Sequence, residues 1–141
     1  MDEIDASLIA MLREDARTPA ALLSRRLGLS RTTVQHRIDR LERRGVISGY
    51  TLRLSDEFEQ GLIKAQVMIV ALPKLSAQVE AALRAIREVR ALHSLSGSYD
   101  MVALIAAASI REMDGLIDRI GALDGVERTM SSIILSTKFE R

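Results

Sequence analysis

The stretch Pro19–Arg44, PAALLSRRLGLSRTTVQHRIDRLERR, constrains the fold of this chain more than any other. Ala20, Leu23 and Leu27 stand at i, i+3 and i+7, so they share one face of a first helix. Pro19 suits the opening turn of that helix, where its missing N–H has no partner to lose. Gly28 ends it, because glycine enters the left-handed conformation of a helix C-terminus at little cost. Ser30 is then a natural N-cap, its hydroxyl taking up a free backbone N–H of a second helix. Val34, Ile38 and Leu41, at i, i+4 and i+7, give that second helix a buried stripe.

Opposite the stripe a helical wheel places Thr32, His36, Asp39 and Arg43, flanked by Thr33, Gln35 and Arg40. Hydroxyl, amide, imidazole and guanidinium groups set outward in this way hydrogen-bond to base edges and phosphates. Between residues 25 and 44 seven arginines (25, 26, 31, 37, 40, 43 and 44) meet only Asp39 and Glu42, a local net charge of +5 in a chain of +1. Arginine carries the planar fork suited to phosphate and guanine. An arginine-rich solvated face would have the same charge with no partner. Helix, glycine turn, serine cap and second helix together select a helix-turn-helix that lies against double-stranded DNA. The candidate groove-facing residues are Ser30, Arg31, Thr32, Thr33, Gln35, His36 and Arg40, with Arg25, Arg43 and Arg44 toward the DNA backbone.

Ahead of this stretch, residues 2–15 carry Ile4, Leu8, Met11 and Leu12 at helical spacing, with Asp2, Glu3 and Asp5 in the first turn where the dipole favours anions. This helix completes a three-helix core. After it, Gly45 caps the second helix of the motif. Val46-Ile47 and Tyr50–Leu54 are β-prone and predict a small wing or an exit strand. Ser55–Gly61 is polar, acidic and glycine-ended, and reads as a hinge.

The second half has another rhythm. Leu62–Leu72 reads as a strand ending at Pro73, and Leu75–Val89 as an amphipathic helix. Arg90–Ser96 and Met101–Ala107 read as two strands around Gly97-Ser-Tyr-Asp100. Ser109 caps a helix ended by Gly121, and Val126–Phe139 reads as a long final strand. The order β-α-β-β-α-β is the ferredoxin-like, split βαβ arrangement, so the fold class is α+β.

Composition removes other functions. No run approaches the ~20 apolar residues of a membrane span, and the acidic MDEIDASLIA start is unlike a basic secretory signal, so a cytoplasmic protein with no membrane partner is expected. There is no cysteine and there are two isolated histidines, which predicts no metal site and no cofactor. No nucleophile–base pair and no phosphate loop stands out, so no enzyme is expected. Aromatic content of 3% with no tryptophan argues against single-stranded nucleic acid, whose bases need rings to stack on.

With this layout in hand, the chain closely resembles the Lrp/AsnC (feast/famine) family of transcriptional regulators. The first half carries the likeness in Asp5…Leu8-Ile9…Leu12…Asp15-Ala-Arg17, in Arg26-Leu-Gly-Leu-Ser30 and in Val34…Arg37-Ile38…Leu41-Glu42…Gly45-Val-Ile47…Gly49-Tyr-Thr51. The second half carries it in Gly97-Ser-Tyr-Asp100 and in Gly125-Val126…Ser131…Ile133-Ile134-Leu135. The resemblance implies an N-terminal winged or plain helix-turn-helix over 1–54, a hinge over 55–61, and over 62–141 a ferredoxin-like αβ-sandwich of the RAM type that assembles. It implies a homodimer, commonly built into an octamer, that binds small effectors, usually amino acids. Two recognition helices in a dimer stand about one DNA turn apart, roughly 34 Å, or a multiple of it.

Gly97, Tyr99 and Asp100 resemble the family's effector loop, and Ser131 stands where relatives often carry threonine. An aspartate there pairs with an α-ammonium, and loop N–H groups take an α-carboxylate. Read by themselves, Gly97–Asp100 are equally a hairpin turn. Asp124 replaces a proline common before Gly125-Val126, which puts the local turn geometry in question. The reading from sequence is a sequence-specific regulator responsive to an amino acid; the alternative is a small-molecule-sensing or architectural DNA-binding module without a dedicated effector.

Overall fold

Asp2 opens the first helix, α1 (Glu3–Glu14): its carboxylate accepts the Asp5 N–H at 2.8 Å while Asp5 reaches back to the Asp2 N–H at 3.5 Å, closing a capping box. The structure, a computed structural model, describes residues 1–55 and 57–141, which form two units, Met1–Arg53 and Leu54–Arg141. In the first unit Asp15 turns the chain after α1, its side chain accepting the Arg17 N–H at 2.9 Å. Helix α2 (Ala20–Leu27) follows, and helix α3 (Arg31–Arg43) comes after a short turn.

Pro19 is the N-cap of α2 and not a member of its first turn, because its ψ of 147 leaves it extended while its carbonyl already accepts from Leu22 and Leu23. Gly28 takes a φ of +67 as expected, and the Gly28 and Leu29 N–H groups both return to the Ser24 carbonyl. Ser30 caps α3 by accepting the Thr33 N–H at 3.1 Å. Leu8, Leu23, Val34, Ile38 and Leu41 close the core, with Ile9, Met11, Leu12, Leu27, Leu29 and Ile47 at its margin. Each fully buried aliphatic side chain contributes about 1.5–3 kcal/mol.

The wing or exit strand is not formed. Val46-Ile47 and Tyr50–Leu54 contain no strand and join no ladder among the described residues. The Val46 and Ile47 N–H groups instead return to the Leu41 carbonyl, finishing α3, and Ile47 packs on the helical core. The helix-turn-helix is therefore a plain one. Of the expected hinge, Asp56 lies outside the described residues; 57–61 form turns, and Glu59 binds Lys64 Nζ at 2.7 Å.

In the second unit β1 (Ile63–Ala71) is followed by a 3-10 turn (Pro73–Leu75), α4 (Ser76–Arg84), β2 (Val89–Ser94), β3 (Met101–Ala107), α5 (Ile110–Gly121) and β4 (Val126–Ile134). The sheet order is β2-β3-β1-β4, every neighbouring pair antiparallel. Alternate residues Ala65, Val67, Ile69 and Ala71 of β1, with Met101, Ala103, Ile105 and Ala107 of β3, face a core shared with Val79 and Leu83 of α4 and Met113, Leu116 and Ile120 of α5. Both helices thus cover one face of the sheet. Ser109 caps α5 through the Glu112 N–H at 3.1 Å.

Two expected boundaries move by several residues. The helix drawn over Leu75–Val89 stops at Arg84, because Val89 pairs with Ile105 and belongs to the sheet. The final strand, drawn to Phe139, stops at Ile134: that residue already pairs with Lys64, and β1 offers only Ile63 beyond it. Asp124 does not spoil the last turn, which closes with the Val126 N–H on the Leu123 carbonyl at 3.1 Å.

Candidate functional site

All ten residues expected at DNA are exposed, and nine of them, Arg25 apart, lie on or beside α3. Ser30 initiates that helix and binds Thr33 twice, through the Thr33 N–H and between hydroxyls at 2.8 Å. Both hydroxyls are therefore held at the helix N-terminus, where unpaired N–H groups and the helix dipole favour a phosphate. Arg31 and Thr32 open the outer face. One turn later the exposed Gln35 amide donates to Asp39 at 2.9 Å, which leaves its carbonyl oxygen as the acceptor. Thr33, His36, Arg37, Asp39, Arg40 and Arg43 line a shallow concavity along the helix flank. Arg25 stands in the last turn of α2 and Arg44 at the C-cap of α3.

The local charge of +5 is reduced by residues distant in the sequence. Arg37 Nη1 binds Asp2 at 2.7 Å and Asp5 at 2.9 Å, and Arg40 Nη2 binds Asp5 at 3.2 Å. Two cations of α3 thus meet two carboxylates of α1, and the open positive field comes from Arg25, Arg26, Arg31, Arg43 and Arg44. The Asp5 N–H and then the Arg37 guanidinium hold the Asp2 carboxyl below the usual carboxylate range. Arg37 chiefly does the same for Asp5. Sequence reasoning assigned Asp2 and Asp5 only to the helix dipole. The signal was present, however: Asp5 stands at i, with Leu8, Ile9 and Leu12 at i+3, i+4 and i+7, an acid on an apolar stripe.

The effector candidates are placed on two sides of the sheet. Gly97, at a φ of +114, turns the β2–β3 loop. Asp100 is built into the sheet end: its N–H donates to Ile69, its carbonyl accepts from Leu95, and its Oδ2 accepts the Ala71 N–H at 2.9 Å. One carboxylate oxygen is thereby committed to structure. Tyr99 bends toward β4, its hydroxyl 3.7 Å from the Met130 sulfur and its ring under the Arg128 guanidinium at 5.5 Å. Met130 and Arg128 alternate with Thr129 and Ser131, so Ser131 projects to the other, helix-covered side, opposite Val67. Arg128, missed from the sequence, is brought to the loop only by strand pairing. His93 is exposed on β2.

The sheet face away from the helices carries Met68, Val70, Val102, Leu104, Met130 and Ile134, bordered by Lys64, Gln66, Arg128 and Ser132, with Met130 49% exposed. Among the described residues no helix of this unit covers it. Among the described residues no group of His, Asp or Glu could hold a metal ion, and no helix is long and apolar enough to cross a membrane.

Comparison with known proteins agrees with this architecture. Residues 1–42 match the AsnC-type helix-turn-helix domain, and residues 64–141 match the Lrp/AsnC ligand binding domain. The chain is 39% identical over 138 residues to the HTH-type transcriptional regulator LrpA of Mycobacterium tuberculosis, covering 97% of this chain and 91% of that protein. It is 31% identical over 140 residues to the regulator LysM of Saccharolobus solfataricus, covering 99% and 96%. A solved feast or famine regulatory protein from M. tuberculosis, complexed with L-methionine, superposes with a TM-score of 0.88 at 38% identity, over 99% of this chain and 95% of that one.

Proposed function

This chain belongs to the Lrp/AsnC family of transcriptional regulators, and on that premise we propose which residues read DNA and how a ligand is sensed. The observation that carries the reading is the outer face of α3, polar and cationic along its length, capped at Ser30 and backed by a closed apolar core. Arg31, Thr32, Thr33, Gln35, His36 and Arg40 enter the major groove behind Ser30. Arg25, Arg43 and Arg44 hold the phosphates on either side. Sequence specificity comes from the first group and salt-dependent affinity from the second.

The second unit assembles the protein and takes the effector, with 55–61 as the hinge between the two functions. Its uncovered apolar sheet face suits a second copy of the same face, which excludes water from Met68, Leu104 and Met130 in a homodimer. Further association into an octamer follows the family pattern. The effector is a small molecule of the amino-acid class. Gly97, Tyr99 and Asp100 present a turn, a ring and one free carboxylate oxygen, and Arg128 adds a cation for an α-carboxylate; Ser131, on the other face of β4, does not reach a ligand held there. That L-methionine is bound in the related M. tuberculosis structure supports this class of ligand. Such a ligand changes DNA binding only through a difference in its affinity for two assembly states.

The test is binding of the full-length protein to DNA upstream of its own gene, against scrambled competitor, with and without a pool of amino acids. Specific binding that shifts with the pool is expected. Specific binding indifferent to every amino acid would remove the effector role and leave Gly97–Asp100 as a turn. No preference over scrambled DNA at moderate salt would count against autoregulation and favour an architectural module.

A further inference from the structure

We propose that Asp5, on the helix that does not touch DNA in the reading above, is a positioning residue for base recognition by Arg40. The inference rests on that reading of α3 and adds a residue from outside the helix-turn-helix. Asp5 has no exposed surface, yet neither of its oxygens is idle: Oδ1 accepts from Arg37 Nη1 at 2.9 Å and Oδ2 from Arg40 Nη2 at 3.2 Å. The capping box on Asp2 fixes the position of the carboxylate, and the adjacent Leu8 is fully buried. The acceptor is therefore rigid, and the guanidinium attached to it is held by one edge.

The two arginines differ in what is left over. Arg37 Nη1 is shared between Asp2 and Asp5, and its side chain is 20% exposed. Arg40 gives one nitrogen to Asp5 and keeps its side chain 47% exposed, in the concavity shared with Thr33, His36 and Arg43. A guanidinium has five donors in a planar fork. Anchoring one leaves the others to present a defined edge outward, the requirement for bidentate reading of a guanine. An unanchored arginine would have to lose its rotamer freedom at the moment of binding. Electrostatics set the sign of the accompanying effect: Asp5 also partly neutralises Arg40, so it weakens attraction to any phosphate. Asp5 exchanges nonspecific affinity for specific affinity.

The experiment compares the full-length wild type with Asp5→Asn on two duplexes, one enriched by the wild type from a random library and one scrambled from it, across a salt series. The expected result is that D5N binds the enriched duplex about three- to tenfold more weakly while its affinity for the scrambled duplex holds or rises. A merely structural role would weaken both together. Arg40→Ala should cost the wild type specificity and cost D5N little more, because the two changes remove one arrangement. If D5N loses helical structure, Arg40→Lys decides: it keeps the charge without the fork, and the enriched-to-scrambled ratio should fall as far as in R40A. An unchanged ratio in D5N or in R40K overturns the role of Asp5. A wild type that enriches no sequence overturns the DNA reading itself, a separate outcome.

Discussion

Gly125 stands where the chain leaves α5 for β4, and replacing it with alanine tests how closely this turn approaches α4. Its φ is +92, and a Cβ built on it lies 2.7 Å from Leu75 Cβ and 2.9 Å from Val79 Cγ2. Carbon atoms pack best at about 3.5–4.0 Å. Neither neighbour can rotate away: the Leu75 Cβ is fixed to the backbone, and Val79 is fully buried. Relief requires moving α4 or the turn, whose Gly125 carbonyl is bonded to the Leu72 N–H at 2.8 Å. An L-residue at positive φ costs about 1–2 kcal/mol, and overpacking adds about 1–3 kcal/mol.

Gly61 provides the control within the same unit. Its φ is +96, almost the same, yet a Cβ there meets nothing within 4 Å. Gly61→Ala therefore bears the backbone cost alone, and Gly125→Ala should be about 1–3 kcal/mol less stable than it. Urea unfolding followed by far-UV circular dichroism measures both variants against the wild type. For a unit of this size a 1 kcal/mol difference shifts the thermal midpoint by about 4–8 °C. Equal losses in the two variants, within about 0.5 kcal/mol, would refute the close approach to α4.

Three further outcomes are expected. Because the Asp2 and Asp5 carboxyls are held below their usual range in the fold, their contribution is complete above the ordinary carboxylate pKa of about 3.9 and is lost as pH falls through the lowered values; an Asp2→Asn, Asp5→Asn double variant should flatten acid unfolding of the first unit, and an unchanged acid limb would exclude the pairing. Leu8→Ala empties a fully buried position and should cost about 2–5 kcal/mol, with hydrogen exchange rising through 1–53 and not through β1–β4; equal rises in both would contradict two separately stabilised units. Met68→Asp places a charge amid the apolar sheet face and should lower the mass measured by sedimentation, and an unaltered mass would remove that face as the dimer contact.

Much of this protein is settled by local sequence. Ser30, Ser109 and Gly28 mark helix ends because a side-chain oxygen or a missing Cβ acts on the few N–H and carbonyl groups beside it. The spacing of Val34, Ile38 and Leu41, and the alternation along β1, follow from periods of 3.6 and 2 that one segment displays alone. From these came the helix-turn-helix, the order of strands and helices, and the outward face of α3. The motifs that resemble the Lrp/AsnC family are drawn from the same local signals.

Tertiary structure decided whatever depends on a partner far along the chain. Tyr50–Leu54 has the composition of a strand but joins no ladder among the described residues, and β4 stops at Ile134, one residue short of the start of β1 opposite it. The charge of residues 25–44 reads as +5 in its own window and is lowered by Asp2 and Asp5, which arrive from 32 and 35 residues away. Asp100 looks like a free carboxylate in its loop, yet one oxygen closes the end of β1; Arg128 reaches Tyr99 only through the pairing of β4 with β1. Backbone preferences act over a few residues, whereas ion pairs, strand neighbours and the contact at Gly125 exist only once the chain has folded back on itself.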